Sequence, residues 1–416
     1  MRRIAVSLAL ALVVTACGGG GDRPGTGSST DTSPIVIGVV GPMTGLAAFV
    51  GKNMVEGIQL AVDDLNAAGG VLGRQVRFVQ RDDEYDPAKT TTAVRELIEK
   101  EEVVALFGPA STSTYLSIAR IVQDANVPTW VIMAGPELTE EVNPSAFRAY
   151  LPDALEIDSL AEFAADRYRR VAILSGNDAE GQSFATAAEA ALKTHGLTPV
   201  ASESFAQDET DFSSIALKMK RSDPDAVILG THLGLFASRF AVAAGNLDLD
   251  VQILGLAGLI NYTYPDLARD AADGTIFISF PSYTHLPRDE WPDSVRTFYD
   301  AYVGRYLPDG EFSATGAYRA YSTNFLTYDT VKIWAAAAEE AGSADPGDVT
   351  DVLNGDFTYP ASESVIGVPW RYTETNHDGI QPGDLSFYRW ELGENGKFIL
   401  RFHGSVTDIL AGKGEL

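Results

Sequence analysis

From Pro34 onward the chain alternates short runs of β-branched apolar residues with stretches whose apolar positions recur every 3.6 residues. That alternation restricts the fold more than any other feature of the sequence. A strand that is apolar along its whole length must be covered on both faces. Helices between such strands supply the cover, which is the pattern of parallel βαβ units. The first unit sets the template. Residues 36–51 read VIGVVGPMTGLAAFVG, a buried strand that breaks at Gly-Pro into a polar loop. Residues 52–67 then place Met54, Ile58, Ala61, Val62 and Leu65 on one helical face, and residues 66–70 stop the helix. In an open α/β sheet such a loop lies at the carboxyl edge, where ligands bind against helix N-termini.

The same period repeats along the chain. Strands are expected at 75–81, 103–107 and 129–133, with helices at 87–100 and 112–125. After Asn143-Pro144 a second set begins, with strands at 170–175, 198–204, 226–230, 252–256 and 274–280 and helices at 154–168, 181–195, 213–220 and 233–244. Pro281 takes the chain out of that sheet, and helices at 293–306 and 318–341 follow. Residues 357–402 change character, with scattered aromatics, Pro360, Pro369 and Pro382, and a hairpin of 386–392 and 398–402 about a turn at 393–396. A chain of 416 residues exceeds what one core fills. The expected fold class is therefore α/β, with two doubly wound parallel-sheet lobes.

Residues 1–17 combine Arg2 and Arg3 with an apolar stretch over 4–14 and small residues before Cys17, the only cysteine. This is a signal peptide, too short to span a bilayer as a mature helix. It resembles a bacterial lipoprotein signal, which implies removal of 1–16, lipidation of Cys17 and a membrane anchor outside the cytoplasm. An ordinary secretory signal with an incidental cysteine is the other reading. Residues 17–33, rich in Gly, Ser and Thr, lack the apolar surface needed to fold and read as a flexible tether.

A formal net charge of −26 argues against nucleic acid as a partner, because phosphate recognition needs clustered Lys and Arg. The short basic run at 167–170 is a solvated helix end. Catalytic patterns are missing: there is no G-x-S-x-G, no Walker loop and no H-E-x-x-H. His195, His232, His285, His377 and His403 stand singly, without metal-ligand spacing, so neither a metal nor a cofactor is expected. The acidic cluster Asp82, Asp83, Glu84 and Asp86 reads as a helix-capping loop in preference to a cation site.

Several pieces, in order, carry a resemblance: GPMTG at 41–45, GIQLAVDDLNAAGGVLG at 57–73, RDDEYDP at 81–87, FGPASTST at 107–114, PELT at 136–139, FR at 147–148, GNDAEGQSFA at 176–185 and YSTNFLTYDTVKIWAAAAEEAG at 321–342. Together they resemble the extracytoplasmic solute-binding proteins of ABC importers, of the Leu/Ile/Val-binding type. The resemblance implies a periplasmic binding protein type 1 fold with lobe one at 34–150 and 282–358 and lobe two at 151–281 and 359–412. Three crossovers near 150, 280–283 and 357–367 would join them. It implies a monomer, not an enzyme, that captures a small polar solute in the cleft, an amino acid or a related small carboxylate or amide, and presents it to permease subunits. A sensor subunit for a membrane receptor is the alternative on the same scaffold.

Carried over residue by residue, the resemblance puts Ser111 and Thr112 where relatives hold a ligand carboxylate. Other positions depart from the amino-acid pattern. Ala134 stands where relatives place a second carboxylate-holding Thr, Val50 with Phe49 beside it where they place an aromatic, and Glu180 where they place a tyrosine. No carboxylate occurs at 257–258 to neutralise an amino group. Loss of a desolvated charge partner costs roughly 3 to 5 kcal/mol, which argues against a standard α-amino acid. Glu180 can supply a counter-charge from another direction. His232 is a further polar candidate from lobe two, and Tyr85, Phe280 and Tyr283 are expected at strand ends facing the cleft.

Overall fold

The run Ile35–Gly41 forms β1, and in the computed structural model it lies between two parallel partners, β2 (Val76–Asp82) and β3 (Leu106–Phe107). β4 (Thr129–Val131) and β5 (Ala146–Arg148) continue beyond β3, giving a five-stranded sheet ordered β2-β1-β3-β4-β5. The structure describes residues 32–413 apart from 46, 136–137, 139–141, 282, 284–285, 287, 307–321 and 395. The signal, most of the tether, and Cys17 therefore lie outside the described residues.

Alternation along β1 shows why the run is apolar throughout. Ile35, Ile37 and Val39 join a core containing Met54, Ile58 and Ala61 of the helix Ala48–Ala67, together with Val331 and Trp334 of the helix Ser322–Ala341. Val40, one step out of phase, joins the opposite core with Val94 and Leu97 of the helix Pro87–Glu99 and Val122 of the helix Ala119–Ala125. One strand thus serves two layers of helices.

The second sheet repeats the plan. β6 (Val171–Gly176), β7 (Ala201–Phe205), β8 (Ala226–Gly230), β9 (Gln252–Gly255) and β10 (Ile276–Ser279) pair in parallel. The chain then builds a small antiparallel sheet, β11 (Phe357–Tyr359), β12 (Trp370–Thr373) and β13 (Asn376–Gly379). It returns as an antiparallel hairpin, β14 (Ser386–Leu392) and β15 (Phe398–Ser405), which adds to β10. The resulting seven-stranded order is β15-β14-β10-β9-β8-β6-β7, so the expected hairpin sits at the edge of lobe two.

The third crossover differs from expectation. Residues 359–379, assigned to lobe two from sequence, pack on lobe one instead. The Tyr372 hydroxyl donates to the Arg148 carbonyl at 3.1 Å, the Arg148 Nε donates to Asp378 at 2.8 Å, and His377 Nδ1 lies 2.6 Å from the Ala146 carbonyl. Phe147 stacks on His377 and meets Tyr372 edge-on. The aromatic residues that change the character of the sequence here bury against β5, and the chain crosses only between Gly379 and Ser386. β5 itself, not expected from the sequence, is buried along its length. The expected helix over 112–125 is two pieces, Thr112–Leu116 and Ala119–Ala125, and Asp345 caps an unforeseen helix, Pro346–Asn354.

One buried carboxylate fastens the small sheet to its lobe. Asp329, on the helix Ser322–Ala341, accepts hydrogen bonds from the Val365 N–H (2.9 Å), the Ser364 hydroxyl (2.7 Å) and the Trp370 Nε1–H (3.2 Å). Burial pushes its pKa up to about 6, and these donors limit the rise. Removing it strands several buried donors at about 1 to 3 kcal/mol each. Asp329→Ala is expected to lower the unfolding free energy by about 3 kcal/mol or more in urea titrations, and an unchanged midpoint would show that water replaces the carboxylate.

Candidate functional site

The carboxyl ends of the two sheets face each other across a cleft that encloses about 850 Å³, space open to solvent included. Lobe one supplies Phe49, Val50, Tyr85, Ala110, Ser111, Ile132, Met133, Ala134 and Thr323, and lobe two supplies Asp178, Glu180, Phe205, Gln207, His232 and Phe236. Tyr150, on the first crossover, lines it from the hinge side.

Each lobe seats a helix over the end of an interior strand with a glycine. A Cβ at Gly51 would lie 2.2 Å from the Pro42 carbonyl oxygen, and one at Gly181 would lie 2.2 Å from that of Gly176. No other residue allows the helices Ala48–Ala67 and Ala179–Thr194 to approach so closely. The approach brings Phe49, Val50 and Glu180 to the cleft.

The acidic cluster after β2 positions the facing side. Asp82 accepts from the Met43 N–H (2.8 Å) and the Thr44 hydroxyl (2.6 Å), holding the loop after β1. Asp83 accepts from the Tyr85 N–H at 2.9 Å, and Asp86 caps the next helix through the Ala88 and Lys89 amides. Glu84 and Tyr85 take left-handed backbone, with φ of 50° and 63°. That turn aims the Tyr85 ring into the cleft. Burial, with the Glu180 and Asp178 carboxylates, keeps its hydroxyl protonated.

Of the residues named from sequence, the structure brings Phe49, Val50, Tyr85, Ser111, Ala134, Glu180 and His232 together around one space. Thr112 and Tyr283 stand apart. Thr112 Oγ1 accepts the Gly135 N–H at 3.3 Å, tying two loops of lobe one to each other. Tyr283 donates to the Gly367 carbonyl at 3.4 Å and packs where the second crossover leaves lobe two. Ser111 faces the cleft but also caps its own short helix, accepting the Thr114 N–H at 3.2 Å. Phe280 packs edge-on against Tyr150 behind the cleft wall.

Sequence reasoning missed Tyr150, Asp178, Gln207, Phe205 and Phe236 as lining residues. Asp178 was within reach of the sequence, two residues ahead of Glu180 in a strand-to-helix loop. It accepts from the Gly181 N–H (2.9 Å) and from Gln207 Nε2 (2.7 Å).

Beneath the hinge side lies a network of charged groups. His232 Nε2 is 3.0 Å from Asp153 Oδ1 and 4.0 Å from Glu156 Oε2, and its Nδ1 is 3.4 Å from the Tyr150 hydroxyl. Glu156 is fully buried, accepting the Ala257 N–H through Oε1. Such a trio of ligand atoms, all within 4.8 Å of one another, has a spacing that a metal ion could use. Here the imidazole and Asp153 already satisfy each other. Burial pushes Glu156 up to about 8, with Asp153 adding to the rise and the His232 charge and Ala257 N–H opposing it. Burial opposes charge on His232, but the Asp153 hydrogen bond and the Glu156, Asp153 and Glu180 carboxylates outweigh it and raise the imidazole to about 9.

A sequence profile described as "Periplasmic binding protein" matches residues 34–397. The chain belongs to the periplasmic binding protein family. Members of this family are solute-binding proteins, not enzymes. Among relatives, the Leu/Ile/Val-binding protein BraC3 of Rhizobium johnstonii is 26% identical over 370 residues, covering 86% of this chain and 92% of its own. An amino acid binding protein of Pseudomonas aeruginosa is 24% identical over 88% of this chain and 91% of its own. Solved structures share the fold. A periplasmic binding protein type 1 from Bordetella pertussis superposes with a TM-score of 0.78 at 22% identity, covering 89% of this chain and 100% of that one. A solute-binding protein of Rhodopseudomonas palustris in complex with 3,4-dihydroxybenzoic acid reaches 0.76 at 20% identity, covering 90% and 98%. No helix among the described residues of this periplasmic binding protein is long and apolar enough to cross a membrane.

The charged network predicts a pH profile. Between the ordinary glutamate value of 4.5 and about 8, the folded chain holds a proton on Glu156 that the unfolded chain releases, so stability declines as pH rises through that window. His232 acts in the same direction. Its charge stabilises the fold fully below 6.5, and that gain is lost as pH rises through about 9. The thermal midpoint is expected to fall between pH 6.5 and 9.5, and less steeply in Glu156→Gln, by scanning calorimetry. An equal or steeper fall in the variant would assign the pH dependence to other groups.

Proposed function

We propose that this periplasmic binding protein is the lipid-anchored solute-binding component of an ABC importer, which captures a small polar solute between its lobes and delivers it to a permease. The observation that carries this reading is the cleft itself, walled by strand-to-helix loops at the carboxyl ends of both sheets and by the first crossover. A solute there touches both lobes only when they are closed, so it stabilises the closed state by its differential affinity. The relatives' names support the transport reading, since Leu/Ile/Val-binding proteins recur among them. Cys17 follows an apolar, signal-like stretch and precedes a tether of small polar residues, which supports the lipid anchor.

Two measurements test this. A solute found by thermal shift across amines, amino acids, amides and acids is expected to reduce the radius of gyration in X-ray scattering, as closure demands. A bound solute that leaves the radius unchanged would rule out capture by closure. In cells, Cys17→Ser is expected to move the protein from the membrane fraction to the soluble fraction. Retention on the membrane by the variant would remove the lipid anchor.

A further inference from the structure

The chemistry of the cleft narrows the solute further, provided the cleft is the solute site proposed above. Its acidic side chains, Asp178 and Glu180, face the space, and among the described lining residues there is no lysine or arginine. The His232 imidazolium also lines the space, but its charge is paired with Asp153 at 3.0 Å, which leaves the acidic pair in excess. The hydroxyl oxygens beside the cleft already serve lobe one itself. Thr112 Oγ1 takes up the Gly135 N–H, the Ser111 hydroxyl takes up the Thr114 N–H and lies 2.7 Å from the Thr114 hydroxyl, and Ala134 has no hydroxyl at all. A solute carboxylate would meet the like charges of Asp178 and Glu180.

The walls favour the opposite charge. Phe49, Tyr85, Tyr150, Phe205 and Phe236 surround the same space as Glu180. Aromatic faces attract cations, most strongly where water is excluded, and enclose alkylated ammonium groups in particular. The formal net charge of −26 adds a field that draws cations toward the molecule.

We propose that the solute is a small organic cation, an amine or alkylated ammonium with an apolar body and no carboxylate, whose charge is met by Glu180 within the aromatic wall. Glu180 sets the sign of the ligand, Asp178 reinforces it through the field, and the rings hold the apolar body.

The test is titration calorimetry of the purified protein in amine-free phosphate buffer with matched probes. Leucine is compared with isopentylamine and 4-methylpentanoate, phenylalanine with phenethylamine and 3-phenylpropanoate, and choline is added as a quaternary probe. At least one of the cations is expected to bind, an amine at least tenfold more tightly than its parent amino acid, with neither acid binding. Glu180→Gln is expected to weaken the bound cation at least tenfold while circular dichroism and the thermal midpoint of the ligand-free protein are retained. The inference is overturned if an amino acid or acid outbinds its amine, if no cation binds, or if the variant binds the cation as tightly as the parent. Each of those results leaves the capture reading standing, because that reading fails only on the scattering measurement.

Discussion

A single buried guanidinium holds the first lobe in the form that the cleft requires. Arg148 ends β5 with no exposure to solvent, and every direction it points has a consequence. Its Nε meets Asp378 and so fixes the small antiparallel sheet. Its two terminal nitrogens donate to the carbonyls of Met133 and Gly135 at 2.8 and 3.0 Å, and so fix the loop that carries Ala134 into the cleft. A cation this deep must be paired and hydrogen-bonded, since one left alone costs several kcal/mol. The stretch 133–135 after β4 is thereby given a defined shape. The Thr112 hydroxyl, bonded to the Gly135 N–H, closes the same loop from the other side.

The two lobes solve one problem twice with different side chains. In each, a glycine lets a helix settle over the end of an interior strand, and a neighbouring aspartate binds the backbone there. Asp82 does so in lobe one and Asp178 in lobe two. What differs is what the seated helix presents. Phe49 and Val50 make the first jaw apolar, and Glu180 makes the second acidic. The hinge side adds its own chemistry, because Tyr150 belongs to a crossover while its hydroxyl partner, His232, belongs to lobe two. Any rotation about that crossover is therefore felt by a charged, partly buried group.

Most of the architecture could be read from the sequence because β1, β6 and β8 are apolar on both faces and their helices keep a clear 3.6-residue period. The strand 226–230 coincides with β8, and the hairpin at 386–402 lies where its turn residues place it. What escaped was decided by tertiary contact. The three residues of β5 carry no period of their own and become a strand only because β4 lies beside them. The aromatic residues of β11–β13 reveal that they are buried but not against which lobe. At the cleft, positions on strand-to-helix loops were legible, Glu180 and Tyr85 among them, since topology alone carries them to the carboxyl edge. Thr112 was not, because its rotamer follows the Gly135 N–H, a partner 23 positions away. Phe205 and Phe236 looked like ordinary core residues, and half of their role is ordinary core packing.

The pairing of β14 with β10 has a consequence for how the chain can be made. β10 ends near residue 279, yet its second neighbour is supplied only by residues 386–392. Lobe one likewise waits for the helix Ser322–Ala341 to cover β1 and for Asp378 to neutralise Arg148. Because the lobes are interleaved along the sequence, lobe one has all its parallel strands by Arg148 but not its full core, and lobe two has neither its full sheet nor its core until the hairpin at 386–405 is made. Both lobes therefore depend for their last contacts on stretches far along the sequence, and closure over such long separations is slow.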